Sequence, residues 1–273
     1  MKQVSVVLAV FICLLSGPAR AAMSEWTEVE GGAVRLIADG PMKDGHYRAG
    51  LEFLLEAGWH TYWRYPGEAG IPPQISIEGS ANVKDIEVLY PAPERYSDGF
   101  SESIVYHDGV VLPLRIVPAE PDRAVSLQVE VFFGICNEIC VPGEAALSLQ
   151  LSGGSDEDAL AGRLIQRDLD RVPRSADGDG LHISSVTQAN AGGSLTIEAR
   201  VGEAADLDLF AAGPEGSYIG LPKPADRNGG LAVWTLSTKG LATKEADATL
   251  RFVLTADGKA IEHLEPVHPD WSE

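Results

Sequence analysis

The sequence predicts an all-β protein made of two antiparallel β-sandwiches joined by one amphipathic helix. Three observations carry this expectation. Short segments of alternating apolar and polar residues recur in both halves of the 273-residue chain, as strands with one buried face do. Turn formers, among them 29 Gly and 17 Pro, punctuate these segments at short intervals, which is the spacing of a sandwich. One stretch, beyond Leu151, changes to helical periodicity.

Residues 1–21 read as a secretory signal peptide. Lys2 precedes an apolar run from Val4 to Leu15, and Ala19-Arg20-Ala21 forms a small-x-small cleavage signature. The run has about twelve residues, and a spanning helix needs about twenty. Cys13 lies in this run and is expected to leave with it. The mature chain is therefore expected to be soluble and exported, most simply to a bacterial periplasm, with no membrane insertion. Cleavage removes two positive charges, Lys2 and Arg20, from a chain whose formal charge is already −19. So acidic a protein is a poor match for nucleic acid or for anionic membrane surfaces, which repel it.

Residues 22–152 are expected to form the first sandwich. Strands are predicted at 33–37 and 47–55, with a turn at Asp44-Gly45. The aromatic stretch from Gly58 to Pro66 reads as a strand, with Trp59, Thr61 and Trp63 on one face and His60, Tyr62 and Arg64 on the other. Its four rings serve either a core or a surface around a site. Strands at 74–77 and 83–90, a loop from Pro91 to Ser103, and strands flanking Asp108-Gly109 follow. Residues 153–175 are expected to hold the linker helix. Ser155 stands as an N-cap candidate, with Asp156, Glu157 and Asp158 in the first turn. Leu160, Leu164, Ile165 and Leu169 form the apolar stripe of about four turns, predicted to pack between the two domains. Residues 176–273 carry five further strand signals, separated by turns at 191–193, 228–230 and 257–258, and no catalytic motif.

Chemistry concentrates at C-N-E-I-C, Cys136 to Cys140, the only cysteines outside the first twenty residues. Alternation on both sides (Leu127, Val129, Val131, Phe133; Leu147, Leu149, Leu151) places the pair near a hairpin tip. On one straight strand their Cα atoms would lie roughly 13 Å apart, well beyond disulfide reach. Either the chain turns within Asn137-Glu138-Ile139 or the pair stays reduced. A bridge here closes about five residues and stabilises by only about 2 kcal/mol. Spacing alone leaves two readings level: a redox couple, or a small disulfide that pins a turn.

Five segments agree in order with a known family: G-W-H-T-Y-W-R-Y-P-G (58–67), G-I-P-P (70–73), Y-P-A-P-E-R-Y (90–96), I-V-Y-H-D-G-V-V-L-P-L (104–114) and F-G-I-C-N-E-I-C-V-P-G-E (133–144). Residues 30–151 thus resemble the N-terminal periplasmic domain of DsbD-type thiol:disulfide interchange proteins, and within them the branch named for suppression of copper sensitivity, protein B. The resemblance implies immunoglobulin-like sandwiches, with Cys136 and Cys140 as a redox pair on an inserted hairpin. It also implies a membrane thiol transporter as reductant and thioredoxin-like periplasmic proteins as partners. The family shields its cysteines with an aromatic cap, and the matching loop here makes Phe100 the expected lid. Tyr96, Tyr106 and Tyr62 complete the set of lid or partner-binding candidates. The chain as read to Glu273 carries no membrane helices and no thioredoxin-like C-X-X-C domain, so its reductant is expected to be another polypeptide.

Other chemistries fare poorly. His46, His60, His107, His182, His263 and His268 show no zinc spacing, and no nucleophile elbow, P-loop or nucleotide-binding glycine fingerprint appears. No cofactor is expected. The rival reading is Cu(I) held by Cys136 and Cys140, since thiolates suit that soft ion. Only Met23 and Met42 remain outside the signal peptide to assist it. A third reading is a redox-inert interaction module. Which cysteine attacks depends on exposure and pKa, and a Cys140→Ser variant is expected to be caught in a mixed disulfide.

Overall fold

A computed structural model describes residues 22–176, 180–189, 192–243 and 247–272. The signal peptide expected at 1–21 lies outside these residues, as does Ala191 of the turn expected at 191–193.

Eleven strands build the first sandwich: β1 (Thr27–Val29), β2 (Gly32–Ala38), β3 (Tyr47–Leu55), β4 (His60–Gly67), β5 (Gln74–Ser76), β6 (Val83–Val88), β7 (Glu94–Ser97), β8 (Glu102–His107), β9 (Gly109–Pro118), β10 (Val125–Cys136) and β11 (Cys140–Leu151). One sheet runs β1-β2-β3-β9-β6, and the other β11-β10-β4-β8-β7, with β5 added alongside β10. The alternating residues of β10 and β11 meet in register, Leu127 opposite Leu149 and Val129 opposite Leu147, and are buried between the sheets. Phe53 and Phe133 meet edge to face across the core, with ring centroids 5.0 Å apart. Burying one such ring is worth about 1.5–3 kcal/mol. Asp44 and Asp108 take positive φ at tight turns, a conformation that Asp tolerates better than most residues.

The helix α1 (Ala159–Leu169) follows. Its N-cap is Asp158, whose side chain accepts from the amides of Leu160 and Ala161, and its first turn holds no acid. The capping group thus stands three residues later than Ser155. The helix has 11 residues, about three turns. Contrary to expectation it does not pack between the domains. Ala161 and Ile165 bury against Ile37 and Val111, on the outer face of the first sheet. Asp168, fully buried, accepts the Val111 amide at 2.8 Å and pins the helix there.

The second sandwich consists of β12 (Arg174–Ser175), β13 (His182–Gln188), β14 (Ser194–Arg200), β15 (Leu207–Ala212), β16 (Lys223–Asn228), β17 (Leu231–Ser237), β18 (Thr249–Ala256) and β19 (Lys259–Pro266). Its sheets run β12-β19-β18-β15 and β13-β14-β17-β16. The two sandwiches share one continuous apolar cluster. At the junction Trp63 faces Phe210 with centroids 6.4 Å apart, the Tyr65 hydroxyl donates to the Ile219 carbonyl, and the Tyr218 hydroxyl donates to the Glu68 carbonyl at 3.0 Å. The architecture is all-β, two immunoglobulin-like sandwiches joined through one helix; among the described residues their strands pair antiparallel except at the edge, where the two-residue β12 runs parallel to β19.

Candidate redox site

The chain turns at Asn137-Glu138-Ile139, and Cys136 and Cys140 end opposite each other as the last register pair of β10 and β11. Their Cα atoms are 4.1 Å apart, and the sulfurs are joined in a disulfide. The two cysteines are not equivalent. Cys136 is 1% exposed, whereas Cys140 is exposed, like the three tip residues before it.

Register explains what surrounds them. Cys136 pairs with His60 on β4, and His60 pairs with His107 on β8. Paired residues share a face, so the disulfide looks onto the outer face of the second sheet and not into the sandwich core. Tyr62, Val105, Tyr96 and Cys136 form a separate small cluster there. The Tyr62 hydroxyl lies 2.8 Å from the Cys136 sulfur and 3.2 Å from that of Cys140. Disulfide sulfurs carry no proton, so the hydroxyl donates. Burial, with help from Asp98 and Tyr96, pushes the Tyr62 pKa up to about 12, and the group remains a donor throughout the neutral range. The His60 ring sits 5.5 Å from Tyr62, 4.7 Å from Tyr96 and 5.6 Å from His107, centroid to centroid. Burial first, then the neighbouring His107, lowers the His60 pKa to about 4. His60 is therefore a neutral ring in this wall.

The backbone makes room for the tyrosine. A Cβ on Gly134 would stand 2.9 Å from the Tyr62 ring, and one on Gly70 would stand 2.1 Å from it. Real Cβ atoms do not approach that closely, so glycine at both positions lets the ring lie against bare backbone.

The expected lid departs from this picture. Residues 91–103 are not a loop: β7 and β8 pair there, with Tyr96 opposite Ser103. The tip is a turn built on Asp98, whose carboxylate accepts from the amides of Phe100 at 2.8 Å and Ser101 at 2.7 Å. That turn holds Phe100 outward, 99% exposed, so it covers neither sulfur. Tyr106 also leaves the site: it faces the sandwich core and donates to the Pro91 carbonyl at 2.7 Å. The aromatic stretch serves both purposes that its rings allowed. Trp63 is core, and Tyr62 is at the disulfide. Arg64 departs from the strict alternation and stacks over Tyr90 at 4.3 Å, because the β4–β8 register shifts after Tyr62. His60 and His107 are the wall residues that the sequence did not single out.

Residues 33–152 match the family model described as thiol:disulfide interchange protein DsbD, N-terminal. The match takes in most of the first sandwich, which is thus a DsbD-type N-terminal domain. A crystal structure of the N-terminal periplasmic domain of ScsB from Proteus mirabilis superposes with a TM-score of 0.71 at 24% identity. The alignment covers 90% of this chain and 98% of that one, so the likeness in fold extends over both sandwiches. A marsupial T cell receptor aligns with a TM-score of only 0.24 at 8% identity, over 89% of this chain and 99% of that one. No curated protein matches the chain.

Proposed function

We propose that this is an exported, periplasmic thiol–disulfide exchange protein that passes reducing equivalents through Cys136 and Cys140. The observation that carries the reading is the asymmetry of the pair: Cys140 is an exposed residue at the hairpin tip, whereas Cys136 is buried and its sulfur is the nearer of the two to the Tyr62 hydroxyl. A disulfide that only pinned a turn would need no such donor.

The asymmetry assigns roles. In reduction, a partner thiolate attacks the exposed Cys140 sulfur. The intramolecular bond breaks, and Cys136 leaves as a thiolate that accepts the Tyr62 hydrogen bond. A second partner thiolate then attacks the mixed disulfide at the partner's own sulfur, and the partner departs oxidised. In donation the order reverses. The Cys140 thiolate attacks the target disulfide, and the Cys136 thiolate resolves the mixed disulfide by attacking Cys140, releasing the target as a dithiol. Ile139, next to Cys140 and 75% exposed, offers apolar contact to a docking partner. Among the described residues no helix is long and apolar enough to cross a membrane. The reductant in this reading is a membrane thiol transporter, and the targets are thioredoxin-like periplasmic proteins.

The roles reverse the trapping variant. With Cys136 replaced, the exposed Cys140 forms a mixed disulfide that nothing resolves. Cys136→Ala is expected to accumulate a covalent adduct with a thioredoxin-like partner, visible on non-reducing gels. Cys140→Ala should give none. Equilibration of the wild-type pair against glutathione should give a potential above the roughly −300 mV typical of structural disulfides. A lower potential with no adduct from either variant would make the bridge a structural staple. Tight Cu(I) binding by the reduced pair with no adduct would transfer the site to copper.

A further inference from the structure

Strand β7 ends the second sheet and, among the described residues, is paired on one side only, to β8. Its two faces carry different loads. Tyr96 points to the disulfide face, where it packs against His60 and, at 5.4 Å between ring centroids, His107. The next residue back, Arg95, points the other way, into the second sandwich. Its Nε donates to Asp208 at 2.9 Å and its Nη2 to the other carboxylate oxygen at 2.8 Å. Nη2 also reaches the carbonyls of Leu209 at 3.3 Å and Pro222 at 3.2 Å. Nη1 reaches back to Glu102 on β8 at 3.3 Å. The guanidinium stands 5.9 Å from the Phe210 ring centroid. A two-pronged guanidinium–carboxylate pair fixes orientation as well as distance, and a one-sided edge strand needs such fixing.

The geometry points to Arg95 as a positioning residue: through Asp208, the second sandwich holds β7 so that Tyr96 stays packed over the redox face. This gives the second sandwich a task in the exchange reaction, and it rests on the redox reading proposed above. Without the clamp, β7 peels from β8, Tyr96 withdraws and solvent reaches His60 and the buried side of the disulfide.

The test uses the full chain with two clamp variants, Asp208→Asn and the milder Arg95→Lys. Arg251→Met serves as a control that breaks an ion pair, with Glu262, inside the second sandwich. Two readouts follow the site and not mere domain cohesion: the rate at which dithiothreitol reduces the disulfide, and the titration of His60 by NMR. Asp208→Asn is expected to raise the reduction rate several-fold and to move the His60 pKa up from about 4 towards its ordinary 6.5. Arg95→Lys keeps the charge but loses the fork, and should fall between. The control should match wild type in both. Wild-type rate and His60 titration in Asp208→Asn, even with a lowered melting temperature, would overturn the proposal and leave Arg95–Asp208 as glue between domains. Both readouts report access to the site whether or not a partner protein is ever found. A failed clamp is thus distinguishable from a failed exchange function.

Discussion

In the exchange reading proposed above, a single hydroxyl sets this disulfide apart from one that only pins a turn. The Tyr62 proton lies within reach of both sulfurs, but it gains most when Cys136 carries a full negative charge. A hydrogen bond to a charged group is worth about 1.5–3 kcal/mol, against about 1 kcal/mol for a neutral pair. The hydroxyl therefore favours the reduced state over the oxidised one. Tyr62→Phe removes the donor and keeps the ring on its glycine bed. The reduction potential at pH 7 is expected to fall by about 30 mV, since 30 mV corresponds to about 1.4 kcal/mol for this two-electron couple. The Cys136 thiol pKa, followed by thiolate absorbance, should rise in step. An unchanged potential would mean that the thiolate finds its stabilisation elsewhere.

Between elements, legibility followed the presence of a two-sided pattern. β10 and β11 alternate over 12 residues each, and their hairpin, its tip and the cysteines at its end were all readable. β16, Lys223–Asn228, is exposed at every residue. It has no buried face to write a period into the sequence, so no strand signal marks it. β7 looks like a loop in the sequence because its side chains answer to partners: Arg95 to Asp208, Tyr96 to His60. The wall around the disulfide was hidden for a related reason. Only the register of β10 on β4 brings His60 opposite Cys136, and register between distant strands leaves no local mark. The glycine bed of Tyr62 shows such coupling at its tightest. Gly134, on β10 two residues before Cys136, has ordinary backbone angles, so alanine there meets only a steric obstacle, the Tyr62 ring and Ile71. Gly134→Ala should cost about 1–3 kcal/mol as overpacking does. It should also lower the reduction potential in the same direction as Tyr62→Phe, because the ring must move off the sulfur. Loss of stability in urea with no change in potential would show that Ile71 yields in place of Tyr62.

For the whole molecule, the wall around the disulfide is also a pH liability. His60 is 4% exposed and faces Tyr62 on its own strand, Tyr96 on β7, His107 on β8 and Cys136 on β10. Asp98, at the turn beyond β7, is the one group that favours its charge; burial and His107 oppose it and prevail, leaving the pKa at about 4 against an ordinary 6.5. Above pH 6.5 the ring is neutral in both folded and unfolded chains and pH has no leverage through it. Between about 6.5 and 4 the unfolded chain binds a proton that the folded one refuses, so stability rises with pH across that window and falls on acidification. Below about 4 both states are protonated and no further loss comes from this residue. Carboxylates elsewhere add their own acid sensitivity, so the contribution must be isolated by difference. His60→Asn keeps a compact polar group that does not titrate. Urea unfolding of both proteins at pH 7.5, 5.5 and 4.5 should show wild type losing ground to the variant as pH drops, with the change confined to the interval below about 6.5. Parallel stability curves across that interval would mean that His60 accepts its proton in the folded protein as readily as in the unfolded chain, and the wall around the disulfide would then be wet.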